Sequence, residues 1–214
     1  MSDRFRVARG RMVDRIRAKG LASETVLAAM GEIPRHLYVD PALELKAYGE
    51  NALPIGWEQT LSHPEVVAFM TESLGIRPGM RILEIGTGSG YQASLLARLG
   101  ASVWTIERIE GLLGTALDHW KADGFEGDIK ARLGDGYLGW PEEGPFDRIL
   151  LTASPREVPE TLLRQLKEDG ILLLPLASEK GQRMVRYRRE GDRAYREELG
   201  DCSFVPMLAR TVKG

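Results

Sequence analysis

Residues 81–92, RILEIGTGSGYQ, leave few folds open to this chain. An apolar run of strand length ends next to a carboxylate, meets Gly86, Gly88 and Gly90, and passes into a helical pattern. Glycine turns tightly and lets a ligand approach the backbone, so the stretch predicts a buried strand, a turn and a helix start. The chain repeats this logic downstream. Strands are expected over 81–85, 102–107, 129–133, 147–152 and 170–176, with helices over 91–99, 111–122 and 158–166. Such alternation makes βαβ units and a parallel sheet with helices on both faces. After residue 176 the pattern changes. RMVRYRRE and RAYREEL alternate apolar and charged residues around Gly191-Asp192, which predicts a closing antiparallel hairpin.

The first 75 residues read as helical and irregular. Phe5, Ala8, Met12 and Ile16 fall at helical spacing amid seven Arg/Lys and two Asp in the first twenty residues. That fits an amphipathic helix docked on the domain, with its arginines in water, better than a nucleic-acid or membrane-surface helix. Ser23 is placed to cap a helix through Met30. ALPIG (52–56) reads as a Pro/Gly connection. Ser62 and Glu65 stand as S-x-x-E before an apolar run, the spacing of a capping box, so a helix is expected to start at Ser62.

Composition excludes several classes. The 214 residues carry a formal net charge of −2, which favours neither nucleic acid nor an acidic tail. Cys202 is the only cysteine, and the three histidines, His36, His63 and His119, are scattered, so neither a disulfide nor a metal site is expected. A reducing, cytoplasmic setting fits this usage. No stretch reads as a secretory signal or a membrane span. The length suits one domain, 1–214, with 1–75 as a helical cap and substrate segment and 76–214 as the cofactor-binding core.

The glycine loop spells G-x-G-x-G after Glu84, not the dinucleotide pattern G-x-G-x-x-G, and no P-loop lysine follows. Glu107 ends the second sheet strand, where a carboxylate can accept from both hydroxyls of a ribose. Asp135, in GDG after the third strand, can accept from an adenine amino group. Asp147 starts the fourth. Each acid alone reads as an ordinary solvated acid near a turn. Acids at consecutive strand ends without a phosphate site describe S-adenosyl-L-methionine better than NAD.

Several motifs resemble the protein-L-isoaspartate (D-aspartate) O-methyltransferase family: AMGEIPRHLYV (29–39), AYGENALPIG (47–56), QTLSHP (59–64), LEIGTGSGYQ (83–92), GDGYLGWPEEGPFD (134–147), TASP (152–155) and FVP (204–206). The resemblance runs from about residue 11 to 206. ALPIG followed by Q-T-x-S-x-P is its most specific part. It implies a class I S-adenosylmethionine-dependent methyltransferase, with a Rossmann-like doubly wound sheet, mostly parallel, an antiparallel C-terminal hairpin and an N-terminal helical segment. It implies methyl transfer to the free carboxylate of L-isoaspartyl residues, and less well D-aspartyl residues, in damaged proteins and peptides. The ester then converts to a succinimide, and the cofactor leaves as S-adenosyl-L-homocysteine. No nucleic-acid or membrane partner is implied.

The resemblance puts the catalytic serine on Ser62. It puts cofactor contacts on Gln59, Thr60, Leu61, Ser62, Glu84, Gly86, Thr87, Gly88, Gly90, Glu107, Arg108, Asp135 and Gly136, and substrate contacts on Ile55, Thr60, Ser62 and Val205. The chain departs from the family at Glu58 and Asp169, where glycine is common, and at Glu50, where aspartate is common. A carboxylate is already ionised at neutral pH and needs no general base, which agrees with the lack of a His/Asp or Cys/His constellation. Two rivals share the fold: a methyltransferase for another carboxylate or small molecule, and a non-catalytic cofactor binder. The 52–64 segment argues against the first, and the intact loop and Ser62 against the second.

Overall fold

A computed structural model describes residues 4–124 and 127–213. Three helices open the chain: α1 (Arg6–Ala18), α2 (Glu24–Glu32) and α3 (Pro64–Ser73). Between α2 and α3 lies a small antiparallel hairpin, β1 (Leu53–Gly56) and β2 (Gln59–Leu61). The core then runs β3 (Arg81–Ile85), α4 (Tyr91–Arg98), β4 (Ser102–Glu107), α5 (Glu110–Asp123), β5 (Ile129–Leu133), β6 (Phe146–Leu151), α6 (Glu160–Leu163), β7 (Leu166–Ser178), β8 (Gly181–Glu190) and β9 (Arg193–Cys202). Seven strands form one sheet in the order β5-β4-β3-β6-β7-β8-β9, parallel from β5 to β7 and antiparallel from β7 to β9. The chain order reverses between β3 and β6, so the crevice at their carboxyl ends is where such a sheet receives a ligand.

Side chains alternate between the two faces of the central strands. Ile82, Val103 and Leu150 join one core with α1, α2 and α4. Leu83, Trp104 and Ile149 join the other. Helix α1 buries Met12, Val13 and Ile16. Several of its cations are engaged by the protein: Arg15 donates to the Tyr48 carbonyl (2.6 Å), Arg17 pairs with Asp14 and Glu24, and Lys19 just beyond pairs with Glu65. The helix docks as expected, but its arginines are not all left in water, since Arg15 is held by a main-chain carbonyl. Among the described residues, no helix is long and apolar enough to cross a membrane.

Strands β3, β4 and β5 occupy the expected residues. Four local expectations need correction. The 52–56 connection is mostly strand, because β1 pairs with β2 around a two-residue turn. The helix expected over 158–166 shrinks to four residues, since Leu166 already pairs with Phe146 in the sheet. Strand β7 is correspondingly longer than 170–176. Ser23 stands at the start of α2 without capping it; its hydroxyl donates to Glu72 instead (2.8 Å).

Candidate active site

A cleft opens at the carboxyl ends of β3, β4 and β6. Its floor is the glycine loop. Gly86, Gly88 and Gly90 have φ of 98°, 53° and 86°, the left-handed region that the loop needs and that glycine adopts without a Cβ penalty. A Cβ at Gly86 would collide with the Thr152 side chain. The Thr152 hydroxyl donates to the carbonyls of Ile85 (3.0 Å) and Gly86 (2.9 Å), tying the loop to the end of β6.

Two irregular segments wall the cleft. On one side stands the β1–β2 hairpin. Ile55 reaches to 3.3 Å from where a Gly88 Cβ would sit, and the Trp57 ring lies on Gly111 at the start of α5. The turn residues Trp57 and Glu58 have φ of 47° and 58°. Hairpin turns of this hand favour Asn-Gly, so two bulky residues there carry backbone strain. On the other side, residues 204–213 run back across the ends of β4, β5 and β6. Ser154 N–H donates to the Val205 carbonyl (2.8 Å), and Val212 N–H to the Arg108 carbonyl (2.7 Å). Arg210 N–H donates to Asp135 Oδ2 (2.8 Å).

Most of the residues singled out in the sequence meet here. Ile55, Gln59, Thr60, Leu61 and Ser62 line the cleft from the hairpin side. Gly86, Thr87 and Gly88 line it from the loop, Glu107, Arg108 and Gly136 from the strand ends, and Val205 from the C-terminal segment. Glu84, Gly90 and Asp135 stand behind the wall. Asp147 lies at the amino end of β6, where it accepts from Arg81 N–H and pairs with Lys167 (2.9 Å); it belongs to no part of the cleft.

The acids differ in what they can still accept. Glu107 is almost fully buried. Its Oε1 accepts from the N–H groups of Arg108 (2.8 Å) and Ile109 (3.0 Å), and its Oε2 from Gly88 (2.9 Å). A carboxylate offers about four acceptor sites, so roughly one remains for a ligand hydroxyl. Asp135 Oδ1 accepts from Tyr137 N–H (2.9 Å), and its Oδ2 anchors the C-terminal segment. Glu84 is wholly buried, accepts from the Thr105 hydroxyl (2.6 Å), and has no partner for Oε1. Burial, assisted by the charge of Glu107 and opposed by the Thr105 bond, pushes its carboxyl up to about 8.

The capping box at Ser62 does not form. Pro64 occupies the first turn, and His63 is the cap, its Nδ1 accepting from Glu65 N–H (3.0 Å). Glu65 therefore sits one position too early to complete a box, and its carboxylate pairs with Lys19. The Ser62 hydroxyl makes no hydrogen bond among the described residues. Its carbonyl accepts from Arg35 Nη2 (2.6 Å).

Sequence reasoning missed part of the wall. Gln92, which donates to the Thr71 hydroxyl (3.0 Å), lines the cleft from α4, and Met207 and Leu208 line it from the C-terminal segment. Thr152 and Ala153 also line it; they lie in the TASP motif, whose place just after a sheet strand was the available signal.

Comparison with known proteins gives a consistent result. The family model described as protein-L-isoaspartate(D-aspartate) O-methyltransferase matches residues 8–212. The protein-L-isoaspartate O-methyltransferase of Hahella chejuensis is 46% identical over 210 residues, covering 97% of this chain and 99% of the relative. That of Halorhodospira halophila is 48% identical over 202 residues, covering 94% and 91%. A solved protein-L-isoaspartate O-methyltransferase superposes with a TM-score of 0.84 at 28% identity, over 92% of this chain; the match spans 65% of that longer chain. A Plasmodium falciparum structure of that name, in complex with S-adenosyl-L-homocysteine, has a TM-score of 0.84 at 24% identity over 94% of this chain and 98% of its own, and supports the fold.

Proposed function

Because the chain belongs to the protein-L-isoaspartate(D-aspartate) O-methyltransferase family, we propose that its cleft methylates the free carboxylate of L-isoaspartyl residues, and less well D-aspartyl residues, in damaged proteins and peptides. The donor is S-adenosyl-L-methionine, and the product ester converts to a succinimide. The residues present fit that cofactor. The glycine loop admits close backbone approach, and Glu107 keeps an acceptor site for a ribose hydroxyl. No lysine stands ready for a phosphate on this loop. Bound, the cofactor supplies a methyl group on an electrophilic sulfonium.

The observation that carries the reading is the Ser62 hydroxyl, at the cleft wall and without a hydrogen-bond partner among the described residues. It is free to donate to an incoming carboxylate, with Thr60 beside it on β2. Ile55 lines the cleft from the hairpin and Val205 from the C-terminal segment, and both hold the peptide, while the two walls exclude water. No side chain needs to take a proton, because the nucleophile arrives ionised. His63, the nearest imidazole in sequence, already uses Nδ1 as a helix cap. Positioning and desolvation are then the protein's contribution. Glu84 and Gly90 shape the loop from behind, and Asp135 acts by holding the C-terminal wall. Residues 1–75 serve as cap and substrate segment over the 76–214 core. The partners are isoaspartyl-containing proteins and peptides rather than nucleic acid or membranes. A cytoplasmic setting suits the single thiol, Cys202, which burial pushes up to about 11.

The test offers labelled cofactor with an isoaspartyl peptide and with its aspartyl isomer. Base-labile methyl incorporation confined to the isoaspartyl peptide is expected. Equal labelling of both, or none, sinks the reading.

A further inference from the structure

Arg35 opens a short helical turn after Pro34, and its side chain is wholly buried (0% exposed). No carboxylate among the described residues pairs with it. Its Nε donates to the Ala47 carbonyl (2.8 Å) and its Nη2 to the Ser62 carbonyl (2.6 Å), while Nη1 has no partner. The guanidinium lies 4.6 Å from the centre of the Tyr91 ring. A buried cation without an anion is expensive, and a packed apolar side chain of similar volume would serve stability as well or better. The placement therefore calls for another account.

The two carbonyls supply it. Residues 47 and 62 are the ends of the excursion that carries the β1–β2 hairpin, including Ile55, Gln59 and Thr60. Arg35 closes that excursion with one planar group, whose fork geometry fixes both acceptors at once. The second acceptor belongs to the residue whose hydroxyl has no partner among the described residues. The positive charge thus touches the main chain of the residue expected to meet an anionic group, and no carboxylate among the described residues neutralises it.

We propose that Arg35 is a positioning residue for methyl transfer, holding the Ser62 main chain so that its hydroxyl stays at the cleft wall, and that its unpaired charge makes the site prefer an ionised carboxylate. The inference rests on the reading that Ser62 receives the substrate carboxylate. It adds a residue outside the cleft, acting through Ser62, to the groups that decide specificity.

Arg35→Gln keeps an amide donor and removes the charge; Arg35→Lys keeps the charge and loses the fork. Each is assayed for kcat and KM with an isoaspartyl peptide, for inhibition by the matching isoasparaginyl peptide, whose carboxamide is neutral, and for S-adenosyl-L-homocysteine affinity. Arg35→Gln should weaken isoaspartyl binding on the order of tenfold, the scale of a unit charge acting across a partly shielded site, and leave isoasparaginyl inhibition within about twofold. Arg35→Lys should keep the preference for the charged peptide and lose kcat. Both should bind S-adenosyl-L-homocysteine nearly as the parent does. Variants that, per folded molecule, retain parental kcat, KM and charge preference overturn the proposal and leave Arg35 a packing residue. If neither variant folds, Tyr91→Leu, which removes the ring beneath the guanidinium, should lower kcat with cofactor affinity intact; unchanged kinetics there overturn it as well. Failure of the functional reading is distinguishable, because the parent protein itself would then not methylate the isoaspartyl peptide.

Discussion

Replacing Ser62 by alanine separates helix capping from substrate orientation. Loss of a capping side chain costs about 0.5–2 kcal/mol. Here the cap of α3 is His63, and the Ser62 hydroxyl bonds to nothing in the described protein. The carbonyl that Arg35 holds is main chain and survives the substitution. Stability should therefore change by less than about 0.5 kcal/mol, the range for a site without such a feature. For a chain of this length that is a melting shift of at most about 2 °C. Turnover should respond differently. A hydroxyl donating to a charged acceptor contributes about 1.5–3 kcal/mol, so kcat/KM for an isoaspartyl peptide should fall roughly 10- to 100-fold. S-adenosyl-L-homocysteine affinity should stay within a few-fold. The assays are thermal unfolding, release of base-labile methyl groups, and calorimetric titration of the product cofactor. A melting drop of several degrees with kcat/KM preserved would refute the reasoning, because the hydroxyl would then be supporting the fold rather than the substrate.

Two further outcomes follow from particular residues. Glu84, raised to about 8 by burial in the folded protein, ionises in the unfolded chain near its ordinary value of 4.5. The folded state thus binds the extra proton between these values, and Glu84's contribution to stability is present below about pH 4.5 and lost as pH rises toward 8. Glu84→Gln, which cannot ionise, should gain on the parent by a few kcal/mol between pH 5 and pH 9 in the absence of cofactor, read as diverging melting curves; parallel curves would contradict it. Glu58→Gly should relieve a left-handed residue worth about 1–2 kcal/mol, less glycine's own entropic cost of about 0.5–1, and so raise the melting temperature by up to about 6 °C. A lower melting temperature would show that the Glu58 side chain compensates for its backbone.

The parallel core was legible because each strand is a short apolar run bounded by turn residues, and the flanking helices keep its period. What escaped depends on contacts between distant parts of the chain. The β1–β2 hairpin hides behind a Pro/Gly stretch and a Trp57-Glu58 turn that no hairpin rule favours. The two departures from family glycines, Glu58 and Asp169, both lie in left-handed conformation, with φ of 58° and 57°. Two residues with side chains hold a backbone conformation that favours glycine, and only the fold reveals that cost. Spacing could put Glu84 and Asp135 at strand ends, but not decide whether a side chain faces the cleft or the protein behind it. The cleft walls are irregular in sequence because their order comes from outside them. Arg35 grips Ser62 from 27 residues away, and Asp135 grips Arg210 from 75. A wall held by polar side chains from distant parts of the chain needs no hydrophobic period of its own. That is why motif likeness found Ser62 and Val205 where periodicity found nothing, and why the groups holding them in place emerged only from the fold.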